Sequence, residues 1–186
     1  MATAAVATDS ARVDDGADML RGGIISRVNR LVSACGVANG QIVIQAVELL
    51  KSAPWPHADA DASVEGRTRI HGILCIDSIS LGNLNDAGLV VASESHDGII
   101  AAEMMRSFRP RLAFFNDTGF GVDRAGAACL PVLDSDGIVA VTVAADSACI
   151  GDNRLTLIQG IISAVNETIY GIGARVGETA RREPKL

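Results

Sequence analysis

The sequence predicts an α/β fold, a mainly parallel sheet with helices on both faces, organised as one complete repeat unit plus an N-terminal half-repeat. Two observations carry this. Residues 6–40 align without a gap on residues 143–177, an offset of 137, and 15 of the 35 positions are identical. Average composition gives roughly two or three identities over such a length. The shared residues are Val6, Ala7, Asp9, Ser10, Ala11, Asp15, Leu20, Gly23, Ile24, Ile25, Ser26, Val28, Asn29, Gly36 and Gly40, with Val143 through Gly177 as their counterparts. From residue 70 onward, strand-like apolar runs alternate with helical spacing, the pattern of right-handed crossovers joining parallel strands.

Taken in order, Thr3 to Ala7 reads as a strand by analogy with Ala140 to Ala144, and Gly16 to Ala34 as a helix like that expected after Asn153. Gly40 to Lys51 extends as a further helix. Ser52 to Arg69, which includes Pro54, Trp55, Pro56 and His57, lacks periodicity and reads as a linker. Ile70 to Ser80 and Ala87 to Ser93 read as strands, and the turn-rich Gly82 to Asp86 between them suggests a hairpin. Ile100, Met104 and Phe108 share one helical stripe in Asp97 to Phe108, which Pro110 stops. Leu112 to Phe115 is a continuous apolar run, as in a strand covered on both faces. Val122 to Leu133 reads as a helix bent or broken at Pro131. Ile138 to Ala144 is the clearest buried strand, followed by a loop, a helix from Arg154 to Tyr170 and a terminal turn near Gly177 to Arg182. Asp9 and Asp146 are expected to close their loops or cap the following helices. The expected organisation is therefore a partial repeat over 1–51, a linker over 52–69 and a complete unit over 70–186.

Composition narrows the function. A net charge of −6 leaves no basic face for phosphates, and six aromatic residues offer few stacking platforms, so nucleic acid is not an expected partner. No stretch reaches about 18 apolar residues and the start has no signal-peptide pattern, so a cytoplasmic protein without a membrane partner is expected. Cys35, Cys75, Cys129 and Cys149 show no C-x-x-C spacing and read as reduced, structural thiols.

Parallel sheets bind ligands past the carboxyl ends of their strands. Three loops with polar residues fall there: Ser93 to Gly98, Asn116 to Gly121, and Asp146 to Asp152. His96 is the candidate acid or base, Asp117 its orienting carboxylate, and Ser147 a nucleophile or substrate donor. Ser95, Asn116, Thr118, Gly119, Gly121 and Asp146 are candidate substrate contacts, the glycine-rich segment through main-chain N–H groups offered to an anion. Asp117, Asp146 and Asp152 also suit a divalent metal such as Mg²⁺, the alternative being no cofactor. The persistence of Asp9, Ser10 and Asp15 in a copy without a His96 equivalent gives those three positions a purely architectural explanation as well. The sequence thus points to a hydrolase or lyase of a polar anionic metabolite, or else to a non-catalytic ligand-binding or assembly module. The apolar face of the N-terminal copy (Leu20, Ile24, Ile25, Val28, Leu31, Val32) favours a homodimer or higher homo-oligomer.

Overall fold

A computed structural model describes residues 2–53, 65–150, 152–171 and 173–181. The central part of the expected linker, with Trp55 and His57, lies outside the described residues, as does Gly151. The chain forms two compact units, residues 1–63 with 121–123 and residues 64–120 with 124–186. No helix among the described residues is long and apolar enough to cross a membrane.

The first unit contains strand β1 (Ala4–Val6), helix α1 (Gly16–Gly22), strand β2 (Ile25–Val28) and helices α2 (Arg30–Ala34) and α3 (Val43–Leu50). The single helix expected over Gly16 to Ala34 is therefore corrected to helix, strand, helix. Asp15 caps α1 by accepting the Asp18 N–H, and Gly22-Gly23 ends it. A Cβ at Gly23 would meet Val6 Cγ1 at 2.9 Å, so the chain passes β1 too closely for any other residue. The following Ile24-Ile25 is β-branched and pairs as an extended strand with β1, antiparallel, Val6 opposite Ile25. Asn29 then caps α2 through the Val32 N–H at 3.0 Å. Ile25, Val32, Val37 and Ala46 make a small core.

The second unit is a six-stranded sheet, β3 (Arg67–Ile70), β4 (Ile73–Ile76), β5 (Val90–His96), β6 (Leu112–Asn116), β7 (Val139–Val143) and β8 (Ile162–Val165), in that spatial order. The three central pairings, β4 through β7, are parallel, and the outer two are antiparallel. The sheet is thus mainly parallel, as expected, but the expected hairpin between Ile70–Ser80 and Ala87–Ser93 is not formed. The hairpin lies earlier. His71 and Gly72, with φ of 50° and 83°, turn β3 back onto β4, the backbone that a two-residue type I′ loop requires. Gly82 to Asp86 belongs instead to a crossover, where Asn83 and Asp86 form a capping box.

Helices α4 (Ile99–Phe108) and α5 (Leu130–Ser135) share one apolar cluster with alternate residues of the sheet, Leu74, Ile76, Val91, Ala113, Phe115 and Ala140 among them. Helix α6 (Asn153–Ile158) contributes Leu157 to a second cluster with Cys75, Ala92, Phe114, Val141 and Val143. That division follows the two-residue period of strands. Pro131 sits in the first turn of α5 rather than breaking a longer helix, since its missing N–H has no partner to lose there. The helix expected from Arg154 to Tyr170 is corrected in the same way as its counterpart: α6 stops, β8 follows, and a 3₁₀ turn spans Glu167–Gly171. A Cβ at Gly160 would meet Val143 Cγ1 at 2.7 Å, so here too a glycine lets the chain pass close to a strand.

The bonding inside the two units repeats at the spacing of 137 seen in the sequence. Ala7 N–H donates to Ile24 O and Ala144 N–H to Ile161 O, both at 2.8 Å. Val43 N–H donates to Gly23 O at 2.9 Å and Ala180 N–H to Gly160 O at 2.8 Å. Isolated bridges join Ile24 to Ile42 and Ile161 to Thr179. Each pairing also carries an irregularity, after Ala5 in one and after Thr142 in the other.

Candidate functional site

The carboxyl ends of β4, β5, β6 and β7 lie side by side, because all four strands run in the same direction. Strand β5 widens at its end, where the register slips between Ala92 and His96. Within this bulge Ser93 Oγ accepts the Ser95 N–H at 3.0 Å, and Ser95 Oγ accepts the Ile79 N–H at 2.9 Å, tying the segment after β4 to β5. The bulge brings His96 directly opposite Asn116 of β6. His96 is half-buried and its Nδ1 accepts the Gly98 N–H at 3.2 Å. A ring nitrogen that accepts carries no proton, so neutral His96 holds its proton on Nε2.

Asn116 and Asp117 are buried, 1% and 3% exposed, and they hold the loops. Asn116 Oδ1 accepts the Thr118 N–H at 2.8 Å, while its Nδ2 donates to Ala148 O at 3.2 Å. Asp117 Oδ1 accepts the N–H groups of Gly119 at 2.8 Å and Ala145 at 2.9 Å, so one carboxylate oxygen joins the β6 loop to the β7 loop. Phe120 N–H returns to Asp117 O at 2.7 Å. Thr118, Gly119, Phe120 and Gly121 all have positive φ, between 49° and 76°. This left-handed turn directs the N–H groups of Thr118 and Gly119 at neighbouring side chains, and that of Phe120 at a carbonyl of the same loop, where the sequence suggested an anion.

Ser147 Oγ donates to Ala144 O at 2.7 Å and accepts the Ile161 N–H at 2.9 Å, so its hydroxyl braces the loop after β7. Asp146 is exposed on that loop. It stands two strands from β5, on the order of 10 Å in strand spacing. The helix caps are Asp15 and Asp152, not Asp9 and Asp146; Asp152 accepts the Arg154 N–H at 3.0 Å. The neighbouring Arg154 side chain holds the Asp152 carboxyl below its ordinary value. The structure therefore brings together Ser95, His96, Asn116, Asp117 and Thr118 at adjoining strand ends. Ser147 and Asp146 lie on the next loop, connected through Ala145.

Residues that sequence reasoning passed over also stand here. Asp77, just past β4, accepts Asn153 Nδ2 at 2.5 Å, and the Oδ1 of that 6%-exposed Asn153 has no hydrogen-bond partner. Asp97, next to His96, is fully buried; its Oδ1 meets the Cys129 thiol and its Oδ2 has no hydrogen-bond partner. Burial pushes the Asp97 carboxyl well above its ordinary value, against the opposing pull of the thiol bond. The available signal was position alone: Asp97 follows the strand-end histidine and precedes the glycine that opens α4. Among the described residues, no group of three or more His, Cys, Asp and Glu side chains is gathered to hold a metal ion. No protein-family model, curated protein or solved structure matches the chain.

Proposed function

We propose that the carboxyl-end rim of the second unit binds a polar, anionic small molecule and acts on it as a hydrolase or lyase. The observation that carries this reading is the placement of half-buried His96 opposite Asn116 at the ends of adjacent parallel strands, with Asp117 next in line. With Nδ1 accepting the Gly98 N–H, the neutral ring carries its proton on Nε2, which suits a hydrogen-bond donor to developing negative charge. Asp117 supplies fixed negative charge at the neighbouring strand end and holds the β6 and β7 loops in place. Ser147 takes the role of a brace in this scheme rather than that of a nucleophile. The test is His96→Ala, checked for an unchanged melting profile and then screened on small anionic esters, amides, phosphates and hydroxy acids, with and without Mg²⁺. Turnover equal to that of the wild type removes His96 from the reaction.

A second reading, a non-catalytic assembly module, is favoured by the first unit. We infer that residues 6–40 and 143–177 descend from one duplicated element. Met19 and Leu20 are 37% and 40% exposed, whereas their counterparts Thr156 and Leu157 are 1% and 2% exposed. Leu31, Ile42, Ile44 and Leu49 are also exposed. Such apolar surface suits self-association into a homodimer. Light scattering over a wide concentration range tests this, and a monomer throughout overturns it.

A further inference from the structure

We propose that Asp97 and Cys129 form a latch that positions the link following His96, and that the latch holds only while the Asp97 side chain is uncharged. Both residues are 0% exposed. They are joined twice: the Cys129 thiol bonds Asp97 Oδ1, and the Cys129 N–H donates to the Asp97 carbonyl at 3.2 Å. Cys129 belongs to an apolar cluster with Ala101, Ala102, Met105, Leu130 and Leu133. A carboxylate there, with one oxygen bonded to a weak thiol donor and the other without a hydrogen-bond partner, lacks the compensation that a buried charge requires. The neutral acid costs far less. Burial accordingly raises the carboxyl well above its ordinary 3.8.

The titratable side chain touching Asp97 is Cys129, at the start of α5. Glu94 and His96 precede it at the end of β5. On α4, Glu103 and Arg106 are exposed. On α5, Asp134 accepts from Thr168, and Asp136, just past its end, accepts from Arg106. Among the described residues no cation meets the Asp97 carboxyl. Residues 97 and 98 link the end of β5 to α4, with the Gly98 N–H bonded to the His96 ring and Asp97 held between them by Cys129. Once Asp97 loses its proton it needs water, so the link must lift from Cys129 and the Gly98 N–H no longer holds the His96 ring. Rising pH opens the latch. Asp97 is thus a positioning residue, acting through main-chain geometry.

That this link serves chemistry rests on the reading of His96 above, but the latch itself is tested without turnover. In the intact chain, hydrogen-exchange protection is followed at the Cys129 amide, which bonds Asp97, and at the Ala101 amide, which bonds Gly98 at 3.0 Å. From about 3.8 upward, toward the raised value of the closed latch, protection in the wild type is expected to fall by at most about tenfold per pH unit. Asp97→Asn keeps the shape without the charge and is expected to abolish that fall. The same pH trend in wild type and Asp97→Asn overturns the proposal. A second measurement needs no variant: in the ¹³C-labelled wild-type chain, an Asp97 carboxyl that titrates near 3.8 overturns it as well.

Discussion

Ser10 and Ser147 make the same pair of hydrogen bonds. Each hydroxyl donates to the carbonyl three residues earlier at 2.7 Å and accepts the N–H fourteen residues later at 2.9 Å. One side chain thereby closes a loop and fixes the strand that follows the next helix. Replacing either serine by alanine leaves a part-buried N–H without its acceptor, a loss of about 1–3 kcal/mol. Urea unfolding of Ser147→Ala is expected to show that loss, with ligand binding at the rim retained by the folded fraction. Lost turnover at unchanged stability would instead make Ser147 a reacting group.

Arg67 and Asp86 form a two-point ion pair at 2.7 and 3.0 Å, with Asp86 2% exposed. The guanidinium bonds hold the Asp86 carboxyl below its ordinary 3.8. A lowered folded value means that this contribution is present above the unfolded value and is lost as pH falls through the folded one. Arg67→Ala is expected to cost about 2 kcal/mol, less than for a fully enclosed pair because the Arg67 side chain is 34% exposed. Acid unfolding is expected to begin at higher pH in this variant. An unchanged acid midpoint would contradict the assignment.

Asp97 has the opposite sign. Its raised folded value means that stability is fully present below about 3.8 and declines as pH rises toward the folded value. The slope is at most about 1.4 kcal/mol per pH unit for one proton. Asp97→Asn is expected to unfold at a higher temperature than the wild type near pH 7 and at nearly the same temperature near pH 4. Parallel melting curves across that range would show that no proton is linked here.

Gly126 lies against the β6 loop. A Cβ at this position would collide with Asp117 O and approach Thr118 Oγ1 at 2.8 Å, both parts of the left-handed turn. Gly126→Ala is expected to cost about 1–3 kcal/mol and to loosen the Asn116 and Asp117 contacts. Loss of protection at the Gly119 and Ala145 amides, both held by Asp117, would report it directly.

The central strands were legible because full burial leaves unbroken apolar runs: Leu112–Asn116 and Val139–Val143 fall where Leu112 to Phe115 and Ile138 to Ala144 were read. The segments after Asp15 and Asp152 were misread because their helices last only seven and six residues. An Ile-Ile pair continuing an apolar pattern looks helical until the preceding glycine is recognised as a close-packing site. The His71-Gly72 turn was missed because histidine is not a usual residue at φ of 50°, and the more obvious turn composition at Gly82 to Asp86 drew the hairpin to the wrong place. At the rim, sequence order gave the residue types and the strand ends. It did not reveal that the carboxylate and amide of Asp117 and Asn116 are turned inward to the main chain, because hydrogen-bond direction depends on which loop lies alongside.

The outermost strand β3 reads Arg-Thr-Arg-Ile, and its first three residues are exposed. A sheet whose interior strands are this apolar would polymerise readily if its border were equally greasy. Arg67 is turned to Asp86, but the exposed Arg69 keeps a guanidinium on that border, and any foreign ribbon docking there must strip water from it. The molecule thus carries its own guard against amyloid-like stacking along this flank.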